Sequence, residues 1–327
     1  CFRDADCLAC VVSVGGDGML EAFASAYGAE LCEVAAHDPL MRPIVAHYGI
    51  TSQGVAIIES AQACGLSLMS VEERAPLRAT TYGVGEMVAD AVRQGCHSFI
   101  VGLGGSGTSD AGMGMLKAIV DAFAPAGGHI DEVLSGQMSG CSFTLACDVD
   151  NPLCGPRGAA EVYGPQKGAS RAEVLALDRR AGQFARMSAA HFGHDCSSHP
   201  GAGAAGGLGY AFMQYFHARR CSGADLLLEA LDMRGMMQGA DVVITGEGSA
   251  DRQTLMGKMP SRVLAYAASC GVPVWLLAGR LSDVGQLSQA GFARLAQVTP
   301  DGCNLAEAMQ AEVAMDNIQS TVREWFA

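Results

Sequence analysis

Ser98-Phe99-Ile100-Val101-Gly102-Leu103-Gly104-Gly105-Ser106-Gly107-Thr108-Ser109-Asp110 is the stretch that decides how this chain is read. A short apolar run passes straight into a glycine-rich turn. Beyond the turn, Met113, Leu116, Ile119, Val120 and Phe123 recur at helical spacing. A strand, a turn with little side chain and a helix together aim unpaired amide N–H groups at an anion. Glycine lets a phosphate approach the main chain, while Ser106, Thr108 and Ser109 add hydroxyl donors. A tight turn that only packs helix on strand would use the same glycines, so the loop alone leaves both readings open.

Outward from the loop the same grammar repeats. An expected strand from Leu8 to Val14 leads into Gly15-Gly16-Asp17-Gly18, and Leu20 to Tyr27 has helical spacing, a second candidate anion turn. Between residues 31 and 69, short apolar runs such as Val55-Ala56-Ile57-Ile58 are broken by Pro39, Pro43, Gly49 and Gly54, which predicts small strands and no long helix. A helix opens near Thr80-Thr81-Tyr82 and runs to about Gln94, with Gly95 as its stop. Leu145 to Pro152 reads as a strand ending in an acidic turn. Gly164-Pro165-Gln166-Lys167-Gly168 precedes a helix from Arg171 to about His191, and the cluster from Pro200 to Gly209 leads into another. Ala240 to Thr245 reads as a strand buried on both faces that ends in a turn, Gly246-Glu247-Gly248. Val272 to Leu277 is a further buried strand, ended by Ala278-Gly279-Arg280. Pro260 suits the first turn of a helix, and the last helix starts near Asn304, with Glu307 at capping-box spacing.

Strands alternate with helices, and the polar turns follow strand carboxyl ends, the edge where open parallel α/β sheets bind ligands. The expected architecture is an α/β fold, a doubly wound parallel sheet with a second, inserted α/β domain. Residues 1–30, 80–118 and 238–327 form the discontinuous first domain, residues 31–79 and 119–237 the second, with the site in the cleft between them.

Composition narrows the function. The 327 residues are half hydrophobic and 17% charged, with 42 glycines and a net charge of −13. That balance opposes nonspecific binding to nucleic acid or an anionic membrane, so an anion site must be made locally. Thirteen scattered cysteines with a single CxxC, Cys7-Leu8-Ala9-Cys10, give neither zinc spacing nor a disulfide framework, which points to a reducing, cytoplasmic setting. No apolar run is long enough to span a membrane. The chain opens at Cys1 and is almost at once in an expected strand, as though entered part-way, with a strand and helix missing.

Several single motifs fail on their context. Gly102-x-Gly104-x-x-Gly107 matches the dinucleotide fingerprint, but Asp121, the downstream carboxylate, falls inside a predicted helix rather than at a strand end. The loop is no Walker A sequence, since no Gly-Lys-Ser/Thr closes it. Ser106 lacks the GxSxG elbow. Cys147 precedes an acidic turn that would raise its pKa, and the histidines are dispersed.

Phosphoryl transfer needs donors around phosphates, cations on the moving charge, carboxylates for Mg²⁺ and a group to take the acceptor proton. The turns at 102–109, 201–209 and 246–249 are candidate donors. Lys167 and Lys258 stand in Gly/Pro-punctuated loops. Asp110, Asp148, Asp150, Glu247 and Asp251 all lie at or just past strand ends, on a chain with few charges. Each carboxylate alone could be a helix cap; together they describe a phosphoryl-transfer site.

At these residues the chain resembles the bacterial type I glycerate kinases, which phosphorylate D-glycerate with ATP. The resemblance runs through Gly104 to Gly112, Ala146 to Leu153, Gly164 to Ala169, Pro200 to Gly209, and Ile244 to Gly248 continuing to Pro260. It implies a Rossmann- or flavodoxin-like domain beside a second α/β domain, a product 2- or 3-phosphoglycerate with the 2-isomer favoured, ATP and Mg²⁺ as cofactors, and room for a homodimer. The loop Gly104, Gly105, Ser106 and Thr108 and the turn Gly246, Glu247 and Gly248 would hold nucleotide phosphates or the substrate anion. Asp148 and Glu247 would bind the metal, Asp110 or Asp251 would act as general base, and Lys167 and Lys258 would neutralise carboxylate or γ-phosphate. Three departures stand out. No Asp-Ser-Phe-Lys-Gly motif opens the chain, Val14 replaces the first carboxylate of the family's Asp-Gly-Gly-Glu-Gly-Thr turn, and Met19 replaces its hydroxyl. They leave room for a catalytically impaired ligand-binding relative. An NAD-dependent hydroxy-acid dehydrogenase is the other alternative.

Overall fold

The computed structural model describes residues 5–12 and 18–325. The turn at Val14 to Asp17, singled out above, lies outside the described residues. The chain forms two compact units, one of residues 12–227 and one of residues 228–327 with the N-terminal stretch up to Val11.

The larger unit is built on a six-stranded sheet: β1 (Glu30–His37), β2 (Pro43–Ile50), β3 (Val55–Glu59), β4 (Ser98–Gly102), β5 (Ser142–Ala146) and β6 (Arg219–Cys221). The strands lie side by side in chain order. β1, β2 and β3 pair antiparallel, then β3 to β6 run parallel, with Val101 opposite both Ile58 and Leu145. The continuous apolar runs predict strands covered on both faces, and Ile57, Ile58, Val101 and Leu145 are wholly buried. Phe99 and Phe143 stack at 4.5 Å between ring centroids, and Phe212 and Phe216 each close on Phe143 at 5.1 Å.

Helix Tyr82–Arg93 buries Val84, Met87, Val88 and Ala91, the i, i+3, i+4, i+7 stripe of an amphipathic helix. It stops where the sequence says, at Gln94, followed by Gly95 with φ 91°. Against it lies helix Met113–Phe123, so close that a Cβ on Gly85 would collide with the Met115 carbonyl. Helix Arg171–Phe192 starts on a full capping box of Ser170 and Glu173.

The smaller unit carries a parallel three-stranded sheet, β7 (Val243–Ala250), β8 (Val274–Leu281) and β9 (Arg294–Gln297), in that order. Helix Met259–Cys270, with Pro260 in its first turn, packs on it, and Val263, Ala267, Val274, Leu276, Leu287 and Phe292 form its core. Cys10 joins that core, its thiol 3.8 Å from Met236 Sδ.

The structure is thus α/β with parallel sheets, but it divides otherwise than the sequence pattern predicts. Residues 80–118 supply β4 and its flanking helices to the same sheet as residues 31–79 and 119–227, not to a domain with residues 238–327. Periodicity marks strands without saying which ones pair; the β3–β4 register does that. Among the described strands the order never reverses. Four local expectations also shift. Gly246-Glu247-Gly248 is not a turn but the middle of β7, and Ala278-Gly279-Arg280 lies inside β8. Those glycines reflect close backbone approach: a Cβ on Gly246 would sit 2.8 Å from the Leu277 carbonyl oxygen, one on Gly279 2.6 Å from that of Gly248. Residues 5–12 are irregular, with Leu8 and Val11 exposed, because no described strand pairs with them. The last helix is two, Leu305–Ala308 and Ala311–Trp325.

Candidate active site

In the larger unit the loop after β4 is stitched along its length to the segment after β3. The Ser60 amide donates to the Gly102 carbonyl at 3.0 Å, the Leu66 amide to that of Gly105 at 2.8 Å, and the Gly107 amide to that of Cys64 at 2.7 Å. The approach is close: a Cβ on Gly107 would press on the end of the Met69 side chain and lie 3.2 Å from Leu66 Cα. Gly104 is half-buried and Gly105, at φ 67°, exposed. Among the described residues their amides have no acceptor. The loop therefore leaves two backbone donors unused and buries its hydroxyl residues Ser106, Thr108 and Ser109. Thr108 Oγ1 and Ser109 Oγ are buried without a hydrogen-bond partner.

Beneath this loop lies Lys167. A 3₁₀ turn over Pro165–Lys167, closed by Gly168 at φ 92°, turns its side chain inward until only 2% is exposed. Its Nζ donates to Ser106 Oγ at 3.0 Å and to the Thr108 carbonyl at 2.7 Å. Burial pushes the ammonium down from 10.5 to about 8, against the opposing pull of the Asp110 carboxylate. The Cys64 thiol, fully enclosed, is pushed up to about 12 by the same burial and is neutral. Lys167 thus lies on the inner side of the loop and lends it positive potential.

Asp110 closes the loop and is equally buried. Its oxygens accept from the amides of Thr81 (2.8 Å), Gly112 (3.0 Å) and Gly114 (3.0 Å) and from the hydroxyls of Thr80 (3.3 Å) and Thr81 (3.0 Å). A carboxylate so fully engaged braces the start of helix Met113–Phe123. This geometry does not leave it available as a general base. The turn at 201–209 is likewise internal. Ala205, Gly206 and Gly207 follow each other at positive φ, all buried, and a Cβ on Gly206 would strike the Thr108 carbonyl. Amides of Ala202, Gly203, Ala204, Gly207 and Tyr210 go to backbone carbonyls, so this cluster packs the 108–111 backbone and is not an anion cradle.

Glu59, at the end of β3, was not singled out by any motif. It is 3% exposed and accepts the Leu20 amide at 3.0 Å, inside the first turn of helix Met19–Tyr27. With Gly18, Ile44, Gln62, Ser67 and Leu68 it lines an open cavity of about 520 Å³. The one sequence signal for it was position: a carboxylate ending a buried strand beside the opening loop. Asp121, the residue the dinucleotide fingerprint needed at a strand end, lies in helix Met113–Phe123 and pairs with Lys117 at 2.8 Å.

Of the predicted carboxylates, Asp148 is exposed after β5 and accepts the Gly223 amide at 3.0 Å, and Asp150 faces Arg157 at 3.3 Å. Burial raises the preceding Cys147 thiol, which rules it out as a ready nucleophile. The remaining expected residues belong to the smaller unit. Glu247 receives the Thr254 hydroxyl and stands 3.4 Å from Lys258 Nζ; Asp251 caps the turn at Arg252–Leu255, accepting the Gln253 amide at 2.6 Å. Among the described residues no three His, Cys, Asp or Glu side chains gather to hold a metal. Mg²⁺ is commonly held by one or two carboxylates and the substrate's phosphates, and the exposed Asp148 or the half-buried Glu247 suits that arrangement better than a protein-built cage.

A parallel α/β frame whose glycine loop, at the carboxyl edge, is backed by a buried lysine and faces outward with bare amides defines an α/β phosphotransferase. No described helix is long and apolar enough to cross a membrane. The model of the glycerate kinase family matches residues 1–327. Glycerate kinase of Bacillus subtilis (strain 168) is 38% identical over 99% of this chain and 88% of its own length. Glycerate 2-kinase of Escherichia coli (strain K12) is 36% identical over 97% and 87%. A crystal structure assigned to glycerate kinase 2 of Salmonella typhimurium LT2 superposes with a TM-score of 0.77 at 31% identity, covering 98% of this chain and 90% of that one. The chain belongs to the glycerate kinase family, and is an enzyme that phosphorylates glycerate.

Proposed function

We propose that the protein transfers the γ-phosphoryl group of ATP to D-glycerate and yields 2-phosphoglycerate. One observation carries the reading: Gly104 and Gly105 offer unpaired amides at the sheet's carboxyl edge, with the Lys167 ammonium anchored directly behind them. Outward amides stabilise phosphate oxygens, and a low-dielectric positive charge strengthens them, the electrostatic positioning on which phosphoryl transfer depends. The 2-position is favoured because a relative similar along nearly the whole chain is named for it.

In this reading Lys167 holds the loop in its binding shape through Ser106 and the Thr108 carbonyl, and Asp110 fixes the helix start that follows. Within the smaller unit, Lys258 with Glu247 beside it is a further candidate cation. Mg²⁺, when bound with the nucleotide, would supply charge neutralisation on the phosphates; Asp148 in the larger unit and Glu247 in the smaller are the candidate carboxylates for it. The cavity beside Glu59 is wide enough for a small-molecule ligand.

The test is a coupled assay of the purified chain with ATP, Mg²⁺ and D-glycerate. Product feeding directly into dehydration by enolase marks the 2-phosphate; product that needs a mutase first marks the 3-phosphate. Absence of ADP release with D-glycerate and other 2-hydroxy acids would defeat the reading.

A further inference from the structure

Glycerate carries a carboxylate, and the cations discussed so far do not answer it within the larger unit. Lys167 points inward and uses its donors on the loop itself. Arg42 already has its charge answered by two carboxylates, Asp38 and Glu73, and gives a further bond to the Leu68 carbonyl. Arg74 differs. Its Nε is buried and has no hydrogen-bond partner. Its one hydrogen bond among the described residues runs from Nη1 to the Gln166 carbonyl at 3.5 Å, the outer limit for such a contact. It takes part in none of the described ion pairs; the exposed Glu72, two residues before it, is a charge neighbour.

Its place in the fold is fixed from both sides. A Cβ on Gly168 would lie 3.0 Å from Arg74 Cβ, so Arg74 packs on the turn that carries Lys167. From Arg74 the chain runs seven residues to Thr81, which with Thr80 holds Asp110 at the far end of the loop. One end of this segment thus packs on the turn whose Lys167 holds the loop, and the other is bonded to the Asp110 that closes it. A buried guanidinium donor without an acceptor costs free energy, and a planar oxyanion taken by the fork removes that cost.

We propose that Arg74 is the anchor for the carboxylate of the hydroxy-acid substrate, leaving the amides of Gly104 and Gly105 to phosphate. The assignment rests on the glycerate kinase reading and adds the residue that recognises the acid end of the substrate. A planar carboxylate matches the fork in two parallel bonds, whereas the amides of the loop are suited to phosphate oxygens.

Arg74→Gln and Arg74→Lys test it by steady-state kinetics with each substrate varied. In the Gln variant the KM for D-glycerate rises about 10- to 100-fold, the loss expected for a charge-assisted bidentate contact, while the KM for ATP stays within about threefold. The Lys variant, with charge but no fork, falls between. D-glycerate alone raises the melting temperature of the wild type and not of Arg74→Gln, whereas inorganic phosphate protects both. An unchanged KM for glycerate overturns the proposal, as does an equal rise in the KM for ATP, which would make Arg74 a phosphate ligand. A melting temperature that falls steeply in both variants without ligand would reduce Arg74 to a structural brace. Failure of the wild type to turn over glycerate would instead strike the kinase reading, and the melting arm would still decide whether Arg74 holds a carboxylate.

Discussion

Residues 102–110 and 244–250 look alike in sequence: an apolar run, then glycines alternating with polar residues. In the protein they are opposites. The first leaves its strand at Gly102 and becomes a loop held from below by Lys167 and from the side by residues 60–66. The second never leaves: Gly246, Glu247 and Ser249 stay in register with Leu277, Ala278 and Arg280. Glycine makes both possible for different reasons, freedom of φ in one and the lack of a Cβ beside a neighbouring backbone in the other. Backbone amides are available to a ligand only where no neighbouring strand consumes them.

The sharpest way to break this comparison is at the loop's packing partner. Gly206→Ala places a methyl group on the Thr108 carbonyl at a residue with φ 66°. It should cost at least about 3 kcal/mol, seen as a collapse of the melting temperature. Gly248→Ala meets nothing within 4 Å, and should shift stability by no more than about 0.5 kcal/mol. Equal effects would erase the distinction.

Next in size is Lys167→Met. Loss of the ammonium behind the amides should lower kcat/KM about 100-fold or more, against about tenfold or less for Lys258→Met, whose side chain is 43% exposed. Asp110→Asn comes third. As a brace it should lose about 1–3 kcal/mol of stability while the folded fraction keeps kcat within a few-fold. A loss of kcat above a thousandfold with unchanged melting would return Asp110 to the role of base.

The smallest expected effect lies in pH. The folded Lys167 releases its proton near 8, the unfolded one near 10.5. Between those values the unfolded chain binds more protons, so this group's contribution to stability rises with pH. Wild-type melting temperature should therefore gain on that of Lys167→Met across this window. Over the same range the KM for the nucleotide should rise, as the charge behind the loop is lost. Stability and binding moving in opposite directions would mark Lys167 as the titrating group.

Much of the larger unit was legible because its signals are local. Helix Tyr82–Arg93 stops just before Gly95, the 171–192 helix starts on Ser170, and Asp121 falls in a helix as its periodicity demands. What was not legible depends on partners distant in sequence. The buried state of Lys167 requires Ser106 and Thr108, some sixty residues away. The brace at Asp110 requires Thr81, and the position of residues 80–118 requires the pairing of β3 with β4. Arg74 and Glu59 carried no motif because nothing local about them is unusual; their interest lies in what surrounds them.

One contact described by neither strand nor loop alone has a consequence for how the sequence can change. Met19, at the first turn of its helix, fills the space over Gly102 that any side chain there would occupy. Positions 19 and 102 are therefore a single volume shared by two residues. A lineage that places a small hydroxyl residue at 19 opens a void that Ala at 102 can fill, while Ala at 102 beside Met19 forces that side chain to move aside. The two positions should drift as a pair, and the double exchange Met19→Thr with Gly102→Ala should be tolerated better than Gly102→Ala alone.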